Sequence, residues 1–92
     1  MLKDRFNAKR FKVLKMSSQV VAYVLVVTEV GKEHEVVKEL LIINGITIAQ
    51  TVYGEFDVLC KIECGNLKSL DESITKIRKI QSIIRTMTLI SG

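Results

Sequence analysis

Proline and tryptophan are absent from the 92-residue sequence, and glycine and histidine are scarce, with five and one occurrences. Because no proline- or glycine-rich stretch interrupts the chain, we expect one domain without linkers or low-complexity segments. The longest apolar run, Val20 to Val27, is far shorter than the roughly 18 residues of a membrane-spanning helix. The basic N-terminal segment is not followed by the apolar region and cleavage site of a secretion signal. A cytoplasmic location without a membrane partner is therefore expected.

The sequence also has few groups suited to metal or redox chemistry, namely Cys60, Cys64 and His34. Both cysteines fall in one predicted strand, where a rise of about 3.3 Å per residue separates their Cα atoms by roughly 13 Å. That distance is beyond the reach of a disulfide, and no second Cys/His pair completes a metal site. We predict no disulfide, metal or cofactor, and we expect both cysteines to pack as small apolar side chains.

Positive charge is concentrated at the start of the chain. Of the formal net charge of +4, residues 1–16 contribute six Lys/Arg against one acidic residue, whereas the remainder has eight against nine and is close to neutral. A nucleic-acid-binding surface requires a basic patch on a folded face, and the remainder offers none. Residues 1–19 are predicted to be a basic tail that is dispensable for folding, and residues 20–92 to form the domain.

Hydrophobic periodicity predicts four strands and two helices. The first strand is apolar on both faces, as in a central strand, whereas the third alternates cleanly between apolar and polar side chains. Asn66 is a suitable N-cap for the second helix, and Gly45 a suitable residue to end the first. The predicted strands are residues 20–28, 46–53, 57–64 and 83–90, and the predicted helices are residues 31–44 and a segment that begins after Asn66.

The order β-α-β-β-α-β is typical of a ferredoxin-like α+β fold, in which both helices lie on one face of a four-stranded antiparallel sheet. The first and third strands are central in this fold. Two helices leave the other sheet face uncovered, and a chain this short gains stability from association. That face is predicted to bind a second copy of the chain. It is expected to include some of Leu59, Thr51, Tyr53, Thr86 and Thr88.

Catalytic patterns are missing from the predicted elements. His34 has no nucleophile or carboxylate placed beside it, and Asp71 and Glu72 are adjacent on a helix and therefore point apart. The remaining polar group is the hairpin turn, where Gly54 can adopt a positive φ. Asp57 at the end of this turn either bonds turn amides or holds an ammonium group. The pattern alone leaves both interpretations of Asp57 open.

Several segments, taken in order, resemble one family. Residues 52–59, Val-Tyr-Gly-Glu-Phe-Asp-Val-Leu, resemble the Gly-x-Tyr/Phe-Asp turn of Lrp/AsnC-type regulators, and residues 22–26 resemble the first strand of the same domain. Further similar segments are Leu70-Asp71-Glu72 with Ile74, Ile77 to Ile80, and Thr86 to Leu89. Because these segments span about residues 20–90, the chain resembles the effector-sensing domain of that family, often called the RAM domain.

The resemblance implies the ferredoxin-like fold, dimers formed through opposed sheets in an α/β barrel-type association, and rings of such dimers. It also implies an amino-acid effector bound between neighbouring dimers, with Asp57 meeting the amino group. It gives no catalytic residue. The implied ligand-binding residues are Gly54, Glu55, Phe56, Asp57, Thr86 and Thr88.

Regulators of this family carry an N-terminal helix-turn-helix domain, for which residues 1–19 are too short. The resemblance is therefore to a stand-alone sensing domain without autonomous sequence-specific DNA binding, which we expect to modulate transcription through a full-length Lrp/AsnC regulator. Two alternatives remain. One is a small dimeric ferredoxin-like monooxygenase, disfavoured by the absence of tryptophan and the single histidine. The other is a purely structural assembly subunit that binds no amino acid.

Overall fold

The computed structural model describes residues 20–91, so the predicted basic tail at residues 1–19 lies outside the described residues. The predicted element order is confirmed, and the strands form one antiparallel sheet in the order β2-β3-β1-β4, with β1 and β3 central. No helix within residues 20–91 is long and apolar enough to cross a membrane. The elements are β1 (Val20–Thr28), α1 (Glu33–Ile42), β2 (Ile46–Thr51), β3 (Val58–Cys64), α2 (Leu67–Arg78) and β4 (Ile83–Ser91).

The hydrophobic core lies between the helices and one face of the sheet. Alternate residues of β1 and β3 point into it because successive side chains of a strand face opposite sides. Each buried aliphatic side chain contributes about 1.5–3 kcal/mol relative to full exposure. The largest fully buried side chains are Val24, Val26, Val36, Leu40, Val58, Cys60, Ile62 and Ile77.

Helix α1 is shorter than its predicted range of residues 31–44. Gly31 has a φ of +81°, which is outside the right-handed helical region, and the helix begins two residues later. Val36 and Leu40 on its apolar side are buried, whereas Leu41 is 51% exposed. In α2, the predicted cap is confirmed because Asn66 Oδ1 accepts a hydrogen bond from the Ser69 amide at 2.8 Å.

The connection from α1 to β2 depends on Gly45, which has a φ of +98°. A Cβ atom at this position would lie 3.1 Å from Ser73 Oγ, and that hydroxyl is buried and donates to the Asn44 carbonyl at 2.9 Å. A side chain at residue 45 would therefore be strained by its own backbone and would crowd the contact between this turn and α2.

We expect Gly45→Ala to lower the free energy of unfolding by about 1–2 kcal/mol, because a left-handed residue with a Cβ carries a cost of that size. In a domain this small, the loss corresponds to a fall in Tm of roughly 4–16 °C, measurable by thermal denaturation. Gly65→Ala is the matched control, since a Cβ there meets nothing within 4 Å and the φ is not in the left-handed region. Equal Tm values for the two variants would contradict the expectation.

Strand β2 contains a β-bulge that changes which residues share a face. The register with β3 shifts between Ile46 and Ile48, so Ile46 pairs with Ile62 on the helix side whereas Ile48 pairs with Lys61 on the other side. Ile46 and Ile48 therefore lie on opposite faces of the sheet, although a regular strand would place them on the same face. For the same reason Thr51, which pairs with Val58, faces the helices and does not belong to the uncovered face.

The sheet face opposite the helices, called here the open face, is mostly apolar. Its centre is the row Leu59, Leu25 and Met87 on neighbouring strands. Of the residues from which this face was expected to draw some members, Leu59 lies on it, whereas Thr86 and Thr88 pair with Val26 and Val24 and so face the helix side. Tyr53 follows the end of β2 and is fully exposed. Other side chains of the open face are Val21, Tyr23, Val27, Ile48, Gln50, Lys61, Glu63, Arg85 and Leu89.

Two charges near one end of the open face are paired within the chain. The Lys61 ammonium lies 3.3 Å from Glu63 Oε2 and 5.9 Å from the centre of the Tyr23 ring. The Thr47 hydroxyl donates to the same carboxylate oxygen at 3.0 Å. These hydrogen bonds, from Thr47 first and then Lys61, hold the pKa of Glu63 below its usual value. Because the two charges already have partners, covering them with another surface costs less than burying either charge alone.

Candidate functional site

The connection between β2 and β3, residues 52–57, is closed at its base by a hydrogen bond from the Val52 amide to the Asp57 carbonyl at 2.9 Å. Gly54 at its tip has a φ of +123°, and a Cβ there would meet nothing within 4 Å. This agrees with the expectation that Gly54 uses a positive φ. Gly54 and Glu55 are exposed and Phe56 is half-buried. The loop therefore offers accessible backbone amides at one end of the sheet.

Asp57 attaches this loop to the end of β1. Its amide donates to the Val26 carbonyl at 2.8 Å, and its carboxylate Oδ2 accepts from the Thr28 amide at 2.9 Å. The carboxylate thus bonds the neighbouring strand and not the amides of its own turn, which differs from the simplest form of a turn-stabilising aspartate. Within residues 20–91, Oδ1 of this carboxylate makes no protein hydrogen bond and Asp57 belongs to no ion pair.

Arg85 on β4 is a further residue of this region, which the sequence pattern did not indicate. It pairs with Val27 of β1 on the open face, and its guanidinium carbon lies 5.4 Å from the centre of the Phe56 ring. This distance is within the range of a cation–π contact. The sequence feature that could have indicated Arg85 is its positive charge, because the residues that share its face of β4, Met87 and Leu89, are apolar.

The two threonines predicted near the loop are placed differently from each other. Thr86, Val26 and Val58 form one row across three strands, so Thr86 lies at the end of the sheet where the loop begins. Thr88 pairs with Val24, one step further towards the middle. Both are half-buried on the helix side, whereas Arg85 lies on the open face. The structure thus brings Thr86 closer to the loop than Thr88.

A concave surface lies elsewhere, at the opposite end of the sheet from the loop. This cavity of about 300 Å³ lies between the end of α1 and the start of α2 and includes Cys64, Glu72 and Lys76 in its lining. None of the predicted site residues lines it. The other cysteine, Cys60, is in the core, and burial raises its pKa to about 12, so its thiol stays protonated. The loop tip, residues 53–55, is exposed, and a ligand there needs a second surface to enclose it.

Residues 21–91 match the model of the Lrp/AsnC ligand binding domain. The chain belongs to this family. The resemblance inferred from the turn at residues 52–59 is therefore confirmed, and the Lrp/AsnC domain is of a regulatory, effector-sensing type. The search of curated proteins gave no significant match.

Solved structures show the same fold. The crystal structure of PHS023 from Pyrococcus horikoshii is 46% identical, with 79% of this chain and 89% of that chain covered and a TM-score of 0.75. AsnC from E. coli is 21% identical over 92% of this chain and 60% of its own, also with a TM-score of 0.75. A feast or famine regulatory protein from M. tuberculosis, complexed with L-methionine, is 17% identical over 91% of this chain and 57% of its own, with a TM-score of 0.67.

Proposed function

We propose that this Lrp/AsnC domain binds a free amino acid at the β2–β3 loop, assembles with copies of itself, and modulates transcription through a full-length regulator of the family. The role is regulatory and not enzymatic, and the location is cytoplasmic. The observation that carries the proposal is the arrangement of Asp57, whose Oδ2 is held by the Thr28 amide while Oδ1 has no hydrogen-bond partner within residues 20–91. A carboxylate oriented in this way suits an ammonium group.

A free amino acid supplies both charges that such a site can recognise. Its ammonium group fits the open side of the Asp57 carboxylate, and its carboxylate fits the accessible amides around Gly54. The remaining proposed contacts come from Glu55, Phe56 and the hydroxyls of Thr86 and Thr88. The structural similarity to a regulator complexed with L-methionine supports an amino acid as the ligand class.

Self-association completes the proposal for two reasons. The loop tip is exposed, so a neighbouring copy is needed to enclose a small ligand. In addition, the row formed by Leu59, Leu25 and Met87 gives the open face an apolar centre that suits a second sheet in face-to-face packing. A dimer through the open face, with further contacts at the loop ends between dimers, satisfies both requirements.

A thermal-shift screen with glycine and each of the nineteen chiral L-amino acids tests the function. We expect one or a few of them to raise Tm, because a ligand at 100 times its Kd adds about 2.7 kcal/mol to the free energy of unfolding. The D-enantiomer of each active chiral compound is the matched control and is expected to act more weakly. If no amino acid changes Tm or the assembly state, the domain is better explained as a structural subunit.

A further inference from the structure

Arg85 and Asp57 flank Val27 of β1 from the sides of its two neighbouring strands. Asp57 bonds the backbone of Val26 and Thr28 from the β3 side, and Arg85 pairs with Val27 from the β4 side. The Arg85 guanidinium does not extend away from this point, since it lies over the ring of Phe56, the residue next to Asp57. A cation and an anion are therefore held near each other at the loop end of the sheet.

The two charges do not neutralise each other. Ion pairs between side chains of residues 20–91 are Lys32 with Glu35 and Lys61 with Glu63. Neither Asp57 nor Arg85 belongs to one within that part of the chain, although the contact with Phe56 holds the guanidinium nearby. A guanidinium over a ring keeps its N–H donors at its edge, where a carboxylate can accept two of them.

We propose that Arg85 binds the α-carboxylate of the amino acid whose ammonium group is held by Asp57, so that the pair recognises a zwitterion. This inference rests on the proposed amino-acid binding and adds a charged partner for the carboxylate beyond the loop amides. It assigns Phe56 the role of a positioning residue, which holds the guanidinium beside the loop. Compounds that carry only one of the two charges are poor ligands for such a site.

The test compares two probes on two variants by calorimetry. The probes are the L-amino acid with the largest thermal shift and its α-carboxamide, which keeps the ammonium group and lacks the negative charge. The variants are Arg85→Gln and, as the matched control, Arg78→Gln, which removes the same charge from the exposed last turn of α2. Because Arg85 is exposed, both variants are expected to keep the Tm of the unmodified protein.

Arg85→Gln is expected to weaken binding of the amino acid by about 10- to 150-fold, as for loss of a hydrogen bond between charged groups. It is expected to leave the weaker binding of the carboxamide nearly unchanged, and Arg78→Gln to affect neither probe. Equal losses for both probes would show that Arg85 acts only by ordering the loop, and unchanged affinity would remove it from the site. Either result overturns this inference alone, whereas no binding of any amino acid to the unmodified protein overturns the proposed function as well.

Discussion

Leu25→Asp is expected to convert the proposed dimer into a monomer. Leu25 lies between Leu59 and Met87 at the centre of the open face, so a second sheet packed there would bury an unpaired carboxylate. Loss of aliphatic burial costs about 1.5–3 kcal/mol for each chain, and desolvation of the carboxylate adds to it. Since a two-fold interface contains the substitution twice, the dimer Kd should rise by roughly 1,000-fold or more.

Light scattering at micromolar concentration measures this change against the 10.4 kDa mass of one chain. Ile42→Asp is the matched control, because Ile42 is an exposed aliphatic residue on α1, away from the open face. Met87→Glu tests the same row at the edge strand, and its Tm and circular dichroism separate loss of association from loss of folding. A Leu25→Asp protein that keeps the mass of the unmodified protein would exclude the open face as the interface.

The sequence was informative wherever the hydrophobic pattern and the strand geometry agreed. The first strand is apolar on both faces, and it is central in the sheet. One of its faces packs in the core and the other is part of the open face. Asn66 caps α2 as predicted because an N-cap is decided by local hydrogen bonding. The turn at Gly54 was predicted because a glycine with a positive φ is also a local feature.

The sequence failed where an outcome depends on strand pairing. Nothing local marks the bulge in β2, so the sequence left Thr51 among the candidates for the uncovered face, whereas it lies on the helix side. Thr86 and Thr88 alternate with apolar residues as expected, but their side of the sheet is decided by their pairing with β1. The contact between Arg85 and Phe56 joins residues far apart in the chain, and no spacing rule predicts it.

The role of Asp57 also could not be resolved by pattern, because its carboxylate has a structural contact and a proposed ligand contact at once. The contact with the Thr28 amide is a part-buried hydrogen bond, and its loss without replacement costs about 1–3 kcal/mol. A simple truncation therefore mixes weaker binding with a weaker fold. Substitutions that separate the two contacts are needed to decide between them.

Asp57→Asn is expected to keep the fold and lose ligand affinity, whereas Asp57→Ala is expected to lose both. Asparagine retains a carbonyl oxygen that accepts from the Thr28 amide, but it has no negative charge for the ammonium group. By calorimetry with the amino acid that gives the largest thermal shift, we expect affinity to fall by about 10- to 150-fold in Asp57→Asn. Its Tm should stay near that of the unmodified protein, and the Tm of Asp57→Ala should be several degrees lower. Full affinity in a well-folded Asp57→Asn protein would mean that Asp57 only attaches the loop to β1, and the ammonium group would then require another partner.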